Sequence, residues 1–219
     1  MADRRHHESQ TMLAEQFNRT AEFQNTNAGL CMMFVVEPDE FIQILHDGSG
    51  HWVTISTIGC KHPEVQMFDS LYCTLSPDLK RQITTILATK QREIPVSFMD
   101  VQMQAGGCDC VVFTTAFATS LCFGHQPGKF HFNQSAMRNH LICCFDKGSM
   151  TMFPVDWRRW KKKVKATKTV PVYCMCHMSE LSGSEMIQCS CCKDWFHLDF
   201  CVTADTTARS SKWNCIICS

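Results

Sequence analysis

The sequence predicts an α+β domain followed by a small zinc-bound unit. Short apolar runs with strand-like spacing alternate with runs of helical spacing along most of the chain. A dense set of cysteines with one histidine then occupies positions 174–218. The total length of 219 residues has room for one domain of ordinary size and one small domain. We therefore divide the chain into a larger domain over 1–155, a basic linker over 156–170 and a metal-binding unit over 171–219.

The first elements of the larger domain follow from the spacing of apolar residues and from turn signals. Segment 9–17 has the spacing of an amphipathic helix. Segment 41–46 is predicted to be a strand, and the Asp-Gly-Ser-Gly sequence at 47–50 predicts a turn after it. The next two strands are predicted over 51–57 and 64–69, which gives three strands in succession.

Helices dominate the second half of this domain. A helix over 76–90 is predicted from a capping serine and a proline at its first position. Segment 94–103 is the next predicted strand, and the glycine pair at 106–107 predicts a tight turn. A buried helix is predicted over 110–121, and a last helix near Asn133. This order of strands and helices indicates an α+β fold around a largely antiparallel sheet.

Composition narrows the class of protein. The longest apolar stretch, 111–123, is too short and too rich in threonine to span a bilayer, so we expect no membrane partner. No apolar leader follows the first residues, and we expect an intracellular protein. Half of the 16 cysteines lie in 171–219, and the others show no disulfide framework, so we expect reduced thiols.

Eight candidate zinc ligands stand in four close pairs near the C-terminal end. They are Cys174, Cys176, Cys189, Cys192, His197, Cys201, Cys215 and Cys218. Zinc takes four thiolate or imidazole ligands in tetrahedral geometry. Four pairs therefore suit two closed structural sites, with pairs one and three on one ion and pairs two and four on the other. A unit of this size needs metal for its stability, so we expect two structural zinc ions, and no cofactor for the larger domain.

The order of these ligands, with the histidine fifth and Trp213 two residues before the seventh, resembles that of a PHD finger. The sequences around the first, third and fifth ligands are similar to the PHD fingers that bind methylated lysine on histone tails. The resemblance implies that Tyr173, Met186 and Trp195 form the binding surface. A methylammonium group gains about 0.5–2 kcal/mol against each aromatic face. The alternative is that the two rings only pack the small core.

Basic residues are concentrated in 156–168, which carries seven of the 21 lysines and arginines of the chain. Clustered basic side chains attract phosphate or an acidic receptor groove, so 158–168 can contact nucleic acid or an import receptor. A solvated linker is the alternative interpretation. Beside a unit that resembles a histone reader, an import signal is the interpretation we favour. We therefore expect a nuclear protein, or one shared between cytoplasm and nucleus.

Four residues of the larger domain are candidates for cysteine-based catalysis: His51, Asp69, Gln104 and Cys110. Cys110 stands at a predicted helix start, where the helix dipole and a nearby imidazolium lower the pKa of a thiol. His51 stands at a strand start and can act as the base, and Asp69 at a strand end can hold its tautomer. Gln104 would donate its amide to the developing oxyanion, beside the backbone N–H of Cys110.

These residues, in this order, resemble the ubiquitin-like-protein protease family, the deSUMOylating cysteine proteases. The resemblance covers nearly all of 10–155 and is carried by His51-Trp52, Phe68-Asp69-Ser70, Gln104 and Asp109-Cys110. It implies a papain-like fold with permuted elements. It also implies substrates that are ubiquitin-like modifiers or their conjugates, cut at a C-terminal Gly-Gly junction. The combination of such a protease with a PHD finger further resembles proteins derived from animal mobile elements.

Val111 departs from that family, which has glycine directly after the nucleophile. A β-branched side chain there can block the substrate or shift the oxyanion site, and a displacement of ~1 Å can cost about 100-fold in rate. Two functions are therefore open. The first is an active peptidase or isopeptidase coupled to a histone reader, and the second is an inactive chromatin-binding scaffold in which only the zinc finger functions.

Overall fold

The fold is mixed α+β, as the sequence predicts, and is built around one five-stranded mixed sheet. The structure, a computed structural model, describes residues 2–18, 23–31, 33–35, 40–157, 164–180, 183–198, 201–202 and 212–218. Of the helices in these ranges, none combines the length and the apolarity that crossing a bilayer requires.

The described elements are five α-helices and nine β-strands. The helices are α1 (Ala2–Gln16), α2 (Thr26–Leu30), α3 (Pro77–Leu87), α4 (Cys110–Cys122) and α5 (Gln134–Lys147). The strands are β1 (Ile42–His46), β2 (Trp52–Ser56), β3 (Val65–Phe68), β4 (Glu93–Met99), β5 (Phe130–Phe132), β6 (Val155–Trp157), β7 (Val164–Pro171), β8 (Met186–Gln188) and β9 (Trp195–His197). A short 3-10 helix, Pro127–Lys129, precedes β5.

The central sheet has the strand order β1-β2-β3-β4-β7. Three of its pairings are antiparallel, and β3 pairs with β4 in parallel. A parallel pair needs a crossover, and α3 provides it between β3 and β4. Two small ribbons, β5-β6 and β8-β9, lie outside this sheet. With three antiparallel pairings and one parallel pairing, the central sheet is mixed but largely antiparallel, as the sequence predicts.

Apolar side chains cover both faces of the sheet. One core combines Ile44 and Phe68 of the sheet with Phe113 and Phe117 of the buried helix α4. The other core lies on the opposite face, where α3 packs against alternate residues of the same strands. The start of α4 is thereby held against β2, and the hydroxyl of Thr54 donates a 3.0 Å hydrogen bond to a carbonyl of α4.

Several elements differ in length from the sequence-based expectation. Helix α1 begins at Ala2 and not near residue 9, and β4 ends at Met99 and not at 103. Helix α3 ends at Leu87 because Ala88 adopts a left-handed conformation with φ of 40° and closes the last turn with a hydrogen bond to Thr84.

The largest difference concerns the predicted linker over 156–170. Residues 158–163 of that segment lie outside the described residues, but β7 covers Val164–Pro171 and pairs along its length with β4. Its backbone completes the sheet, and Val170 is fully buried in the core on the α3 side. This part of the segment is therefore an edge strand and not a solvated linker. Periodicity did not reveal it because most of its side chains are exposed.

Candidate functional site

The turn between β1 and β2 sets the position of His51. The carboxylate of Asp47 accepts hydrogen bonds from the backbone N–H groups of Ser49 at 2.8 Å and of His51 at 2.9 Å. Gly48 and Gly50 have φ angles of 86° and 100°, which favour glycine. The Asp-Gly-Ser-Gly sequence thus forms a fixed turn that places His51 directly before β2. In this position 6% of the surface of His51 is exposed.

Asp69 holds the imidazole from the adjacent strand. Nε2 of His51 lies 2.8 Å from Oδ1 of Asp69, which directly follows β3. The same carboxylate oxygen accepts the backbone N–H groups of Leu71 and Tyr72. Because the carboxylate is fixed by this turn, it orients the ring of His51. The half-exposed ring of Tyr72 meets the imidazole edge-on, with 5.2 Å between the ring centroids.

Cys110 is the first residue of α4 and is buried beside His51. Burial disfavours the thiolate, but the His51 imidazole and the backbone N–H groups of Trp52 and Val111 outweigh it. The pKa of Cys110 therefore lies below its ordinary value. The N-terminal end of α4 adds partial positive charge at the same place.

The pKa of His51 is shifted in the opposite direction to that of Cys110. Burial disfavours its imidazolium, but the hydrogen bond with Asp69 and the neighbouring Cys110 outweigh burial and raise the pKa of His51 to about 9. Within the described residues, no group meets the distance and angle criteria for a hydrogen bond with Nδ1 of His51. The Cys110 thiol is nevertheless close enough to raise the pKa of His51. The two shifts together favour a thiolate–imidazolium pair between the lowered pKa of Cys110 and the pKa of His51 at about 9.

Gln104 is held next to these groups by hydrogen bonds at both ends of its amide. Ser70 donates its hydroxyl to Oε1 of Gln104 at 2.7 Å, and Nε2 of Gln104 donates to the carbonyl of Gly106 at 2.9 Å. An amide nitrogen carries two hydrogens, so one N–H of Gln104 remains for a further acceptor. Its side chain is buried, and its backbone N–H is bonded to the carbonyl of Ser70.

The residues on either side of Cys110 fix the start of α4. The Asp109 carboxylate binds Arg138 and Gln134 of α5, with 2.8 Å between Nε of Arg138 and Oδ1 of Asp109. Val111 follows Cys110 and is partly buried against the core of α4. A branched side chain thus follows Cys110 on the first turn of α4, where the resembling family has glycine.

The structure brings His51, Asp69 and Cys110 together, and Gln104 is bound to the residue after Asp69. The four predicted catalytic residues therefore come from four different segments of one domain. The positioning roles of Ser70, Tyr72 and Asp47 were not predicted from the sequence. Only the role of Asp47 could have been predicted from the sequence. An Asp-Gly turn directly before a candidate histidine predicts that the Asp side chain accepts the backbone N–H groups that follow it.

The eight candidate metal ligands fall into two groups of four, in the predicted combination of pairs. The groups are Cys174, Cys176, His197 and Cys201, and Cys189, Cys192, Cys215 and Cys218. Within each group all ligand atoms lie within 4.8 Å of one another. Sulfur and imidazole nitrogen are the donors that zinc prefers in structural sites, so both groups can bind zinc.

The first group has the tautomer that a metal requires. Nδ1 of His197 lies 3.4 Å from Sγ of Cys174 and 3.3 Å from Sγ of Cys176. Nε2 lies 3.1 Å from the carbonyl of Ser179, which can only accept, so Nε2 carries the proton. The lone pair of Nδ1 is thereby directed to the thiols, as in zinc sites whose histidine is oriented by a carbonyl.

The cysteine pair of that group is compact. Sγ of Cys174 lies 2.9 Å from Sγ of Cys176, whereas tetrahedral zinc thiolates are separated by about 3.7 Å. This pair must open slightly when it binds a metal. The backbone of Cys174 is left-handed, with φ of 43°, a conformation that is uncommon for residues other than glycine.

The second group forms the interior of the small unit. Cys189 and Cys215 are buried, and Sγ of Cys192 lies 3.8 Å from Sγ of Cys215, close to the separation in a zinc site. The ring of Trp213 packs edge-on against Phe196 at 5.4 Å between centroids. Few other apolar side chains accompany them among the described residues of the unit, and these give little hydrophobic stabilisation without metal.

Two of the three predicted methyl-lysine-binding residues line one cavity of about 310 Å³. Tyr173 and Trp195 belong to this lining, and 42% of the Trp195 surface is exposed. Met186 is not among the lining residues. It pairs with His197 across the β8-β9 ribbon, diagonally from Trp195 on the same face. The three residues therefore share one side of the metal-binding unit, but only Tyr173 and Trp195 border the cavity.

The chain was compared with models of protein families, with curated proteins and with solved structures, and no match was found.

Proposed function

We propose that the larger domain is a cysteine peptidase or isopeptidase with a papain-like fold, acting on ubiquitin-like modifiers or their conjugates. One observation carries the proposal: a thiol of lowered pKa at the start of a buried helix adjoins an imidazole that a carboxylate holds at 2.8 Å. The likeness of His51, Asp69, Gln104 and Cys110 to the ubiquitin-like-protein proteases supports this substrate class.

In the proposed reaction the Cys110 thiolate attacks the carbonyl carbon at the C-terminus of the modifier. Gln104 and the backbone N–H of Cys110 donate hydrogen bonds to the oxyanion that forms. His51, protonated in the resting pair, gives its proton to the leaving amine as the C–N bond breaks. His51 then takes a proton from water, which attacks the thioester and releases the modifier and the free thiol.

Covalent capture tests this reaction directly. A ubiquitin-like modifier with an electrophilic C-terminus should form a stable adduct with the intact protein, measured as a mass increase of the whole chain. C110A should abolish the adduct. C108A is the matched control, because Cys108 is an exposed thiol two residues away, and it should leave the adduct intact. Absence of an adduct across several modifiers would end the proposal.

A second candidate function is favoured by Val111, a branched residue directly after Cys110 where the resembling family has glycine. In this case the domain binds a modifier or serves as a scaffold without cutting, and only the zinc finger has a biochemical activity. Tight binding of an unmodified modifier together with no covalent capture would support this function over the first.

The C-terminal unit is proposed to be a zinc-bound PHD finger that binds a methylated lysine of a histone tail. Tyr173 and Trp195 on one cavity support this function, because aromatic faces favour a methylammonium group. Titration with unmethylated and methylated tail peptides tests it, and W195A should weaken methyl-dependent binding about 2- to 30-fold.

The matched control is Y72A, which removes a half-exposed ring beside His51, outside the finger. It should leave peptide affinity unchanged. Identical weak binding by all the peptides would remove the reader function. A nuclear location, served by the basic segment 158–168, completes the proposal, and fusion of that segment to a reporter protein tests it.

A further inference from the structure

The finger is attached to the larger domain by direct packing. Strand β7 ends three residues before Cys174, and the backbone N–H of Val172 donates to the carbonyl of Arg92 at 2.8 Å. Val172 itself is buried in the core on the α3 side. Further along, the thioether of Met178 lies 3.9 Å from the hydroxyl of Thr84 on α3. The two units therefore meet along α3 and the start of β4.

The cavity of about 310 Å³ lies at this junction, and both units line it. Tyr173 and Trp195 belong to the finger, whereas residues 90–93, the segment that leads into β4, belong to the larger domain. A ligand side chain that entered between the rings would therefore also meet the larger domain. The binding surface predicted for the finger alone is in fact shared.

An ion pair joins the two units at the edge of the cavity. Nη1 of Arg92 lies 2.6 Å from Oδ1 of Asp194, and Nη2 lies 2.9 Å from Oδ2. This is the two-pronged geometry that an arginine makes with a carboxylate. Asp194 directly precedes Trp195 in the sequence, and its carboxylate already holds a cation of the same chain.

The other charges at the cavity do not favour a cation by themselves. Lys90, Lys193 and Glu93 also line it, and Nζ of Lys193 donates to the carbonyl of Ser190 at 2.7 Å. With Arg92 on Asp194, the remaining lining has no excess of negative charge. A basic ligand gains the carboxylate of Asp194 only when Arg92 releases it.

We propose that the cavity is a shared binding site for a basic peptide, in which Arg92 is a built-in competitor of the ligand. Tyr173 and Trp195 receive a methylated lysine of the peptide. A neighbouring unmodified basic side chain takes Asp194 from Arg92. The inference rests on the proposed reader function. It adds that the peptide needs a second basic side chain beside the methylated lysine and that the larger domain lines part of the site. It also gives a reason why the affinity for the peptide is limited.

The size of the effect follows from the exposure of the pair. The Arg92 side chain is 78% exposed and that of Asp194 33% exposed, and solvent-exposed ion pairs contribute little. Removal of Arg92 should therefore tighten binding about two- to fivefold, and not by orders of magnitude. Because Arg92 acts only through Asp194, the gain should disappear when Asp194 is neutralised.

The test is a titration of the full chain with a methyl-lysine peptide that has an arginine beside the modified residue. We expect R92A to bind more tightly than the wild type and D194N to bind more weakly. The R92A/D194N double variant should bind like D194N. R81A is the matched control, because Arg81 also pairs with an aspartate on the surface, Asp78 of α3, and it should bind like the wild type.

A peptide with glutamine in place of the neighbouring arginine is the control for an indirect effect of R92A on the packing of the finger against the larger domain. With this peptide, R92A should give no gain. Equal or weaker binding of the arginine peptide by R92A overturns the inference and leaves the reader function intact, provided that the wild type binds. Absence of binding by both proteins overturns the inference and the reader function together.

Discussion

The hydroxyl of Ser70 donates a 2.7 Å hydrogen bond to Oε1 of Gln104, and the Ser70 carbonyl accepts the backbone N–H of the same residue at 2.8 Å. Ser70 follows Asp69, whose carboxylate holds His51. One short segment after β3 therefore fixes two things at once, the orientation of the imidazole and the position of the buried amide.

S70A should reduce turnover of a modifier substrate without changing the reactivity of the thiol. The variant leaves Oε1 of Gln104 without its donor, so the amide can rotate away from the oxyanion. We expect kcat/KM to fall about 10-fold, less than the 10²–10³-fold loss that removal of an oxyanion donor causes. Alkylation of Cys110 by iodoacetamide, measured by mass spectrometry, should keep its wild-type rate.

S56A is the control for S70A, because Ser56 of β2 is equally buried and, in the part of the chain that the structure describes, its hydroxyl bonds only locally, accepting the backbone N–H of Ile58. It should leave kcat/KM unchanged. A loss of turnover in S56A as large as that in S70A would mean that any lost buried hydroxyl slows the reaction, and the specific role of Ser70 would be wrong.

The plot of kcat/KM against pH should be bell-shaped. Below the lowered pKa of Cys110 the thiol is protonated, and the nucleophile is lost as pH falls. Above about 9 His51 loses its proton and can no longer protonate the leaving amine, so turnover falls as pH rises. Measurement of kcat/KM from pH 4 to 10 checks both limbs.

Alkylation of Cys110 separates the two groups. Iodoacetamide needs only the thiolate, so its rate should fall on the acid side and stay high above pH 9. H51A should slow alkylation at pH 7, because the imidazolium that stabilises the thiolate is gone. If H51A and the wild type were alkylated equally fast at pH 7, the thiolate–imidazolium pair would be wrong.

The elements that the sequence predicted well are those with a local cause. Helix α3 begins where predicted because Ser76 accepts the N–H of Leu79 and proline follows it. Helix α4 begins at Cys110, as predicted, because an apolar run starts there after a glycine pair. The grouping of metal ligands was also predictable, because close pairs can combine in few ways on tetrahedral ions.

Features that depend on distant partners were not predictable in the same way. Strand β7 owes its structure to backbone pairing with β4, some 70 positions earlier, while most of its side chains remain in solvent. The same pairing brings Arg92 to Asp194, although nothing in either local sequence indicates it. The candidate catalytic residues were identified by their likeness to a family, and the distances between them could be read only from the folded structure.

The finger should bind two metal ions and unfold when they are removed. Its apolar cluster is small, so its free energy of folding must come largely from metal–ligand bonds. We expect two equivalents of zinc per chain by elemental analysis, and loss of Trp213 burial, followed by fluorescence, on treatment with a chelator.

Adjacent cysteines supply the control for the metal prediction. Cys192 belongs to the second group of ligands, whereas Cys191, next to it, is exposed and outside both groups. C192S should reduce bound zinc by about one equivalent, and C191S should retain both ions. Equal zinc content in the two variants would show that the assignment of the second site is wrong.

V111G should decide whether the side chain beside Cys110 limits catalysis. Glycine removes the branched side chain from the first turn of α4, so a blocked substrate would gain access, with an increase in turnover of up to about 100-fold. The same change should destabilise the domain by about 1–2 kcal/mol, because glycine in a helix costs about 1 kcal/mol and partly buried valine contacts are lost. Chemical denaturation measures that cost.

V111A separates the two effects, because alanine removes the branched methyl groups and keeps a good helix former. If branching obstructs the substrate, V111A should gain part of the turnover of V111G with little loss of stability. Equal turnover by wild type, V111A and V111G would show that valine is no obstacle, and the inactive-scaffold function would lose the observation that favours it. Hydrolysis that appears only in the glycine variant would instead identify the natural domain as one that binds a modifier without cutting it.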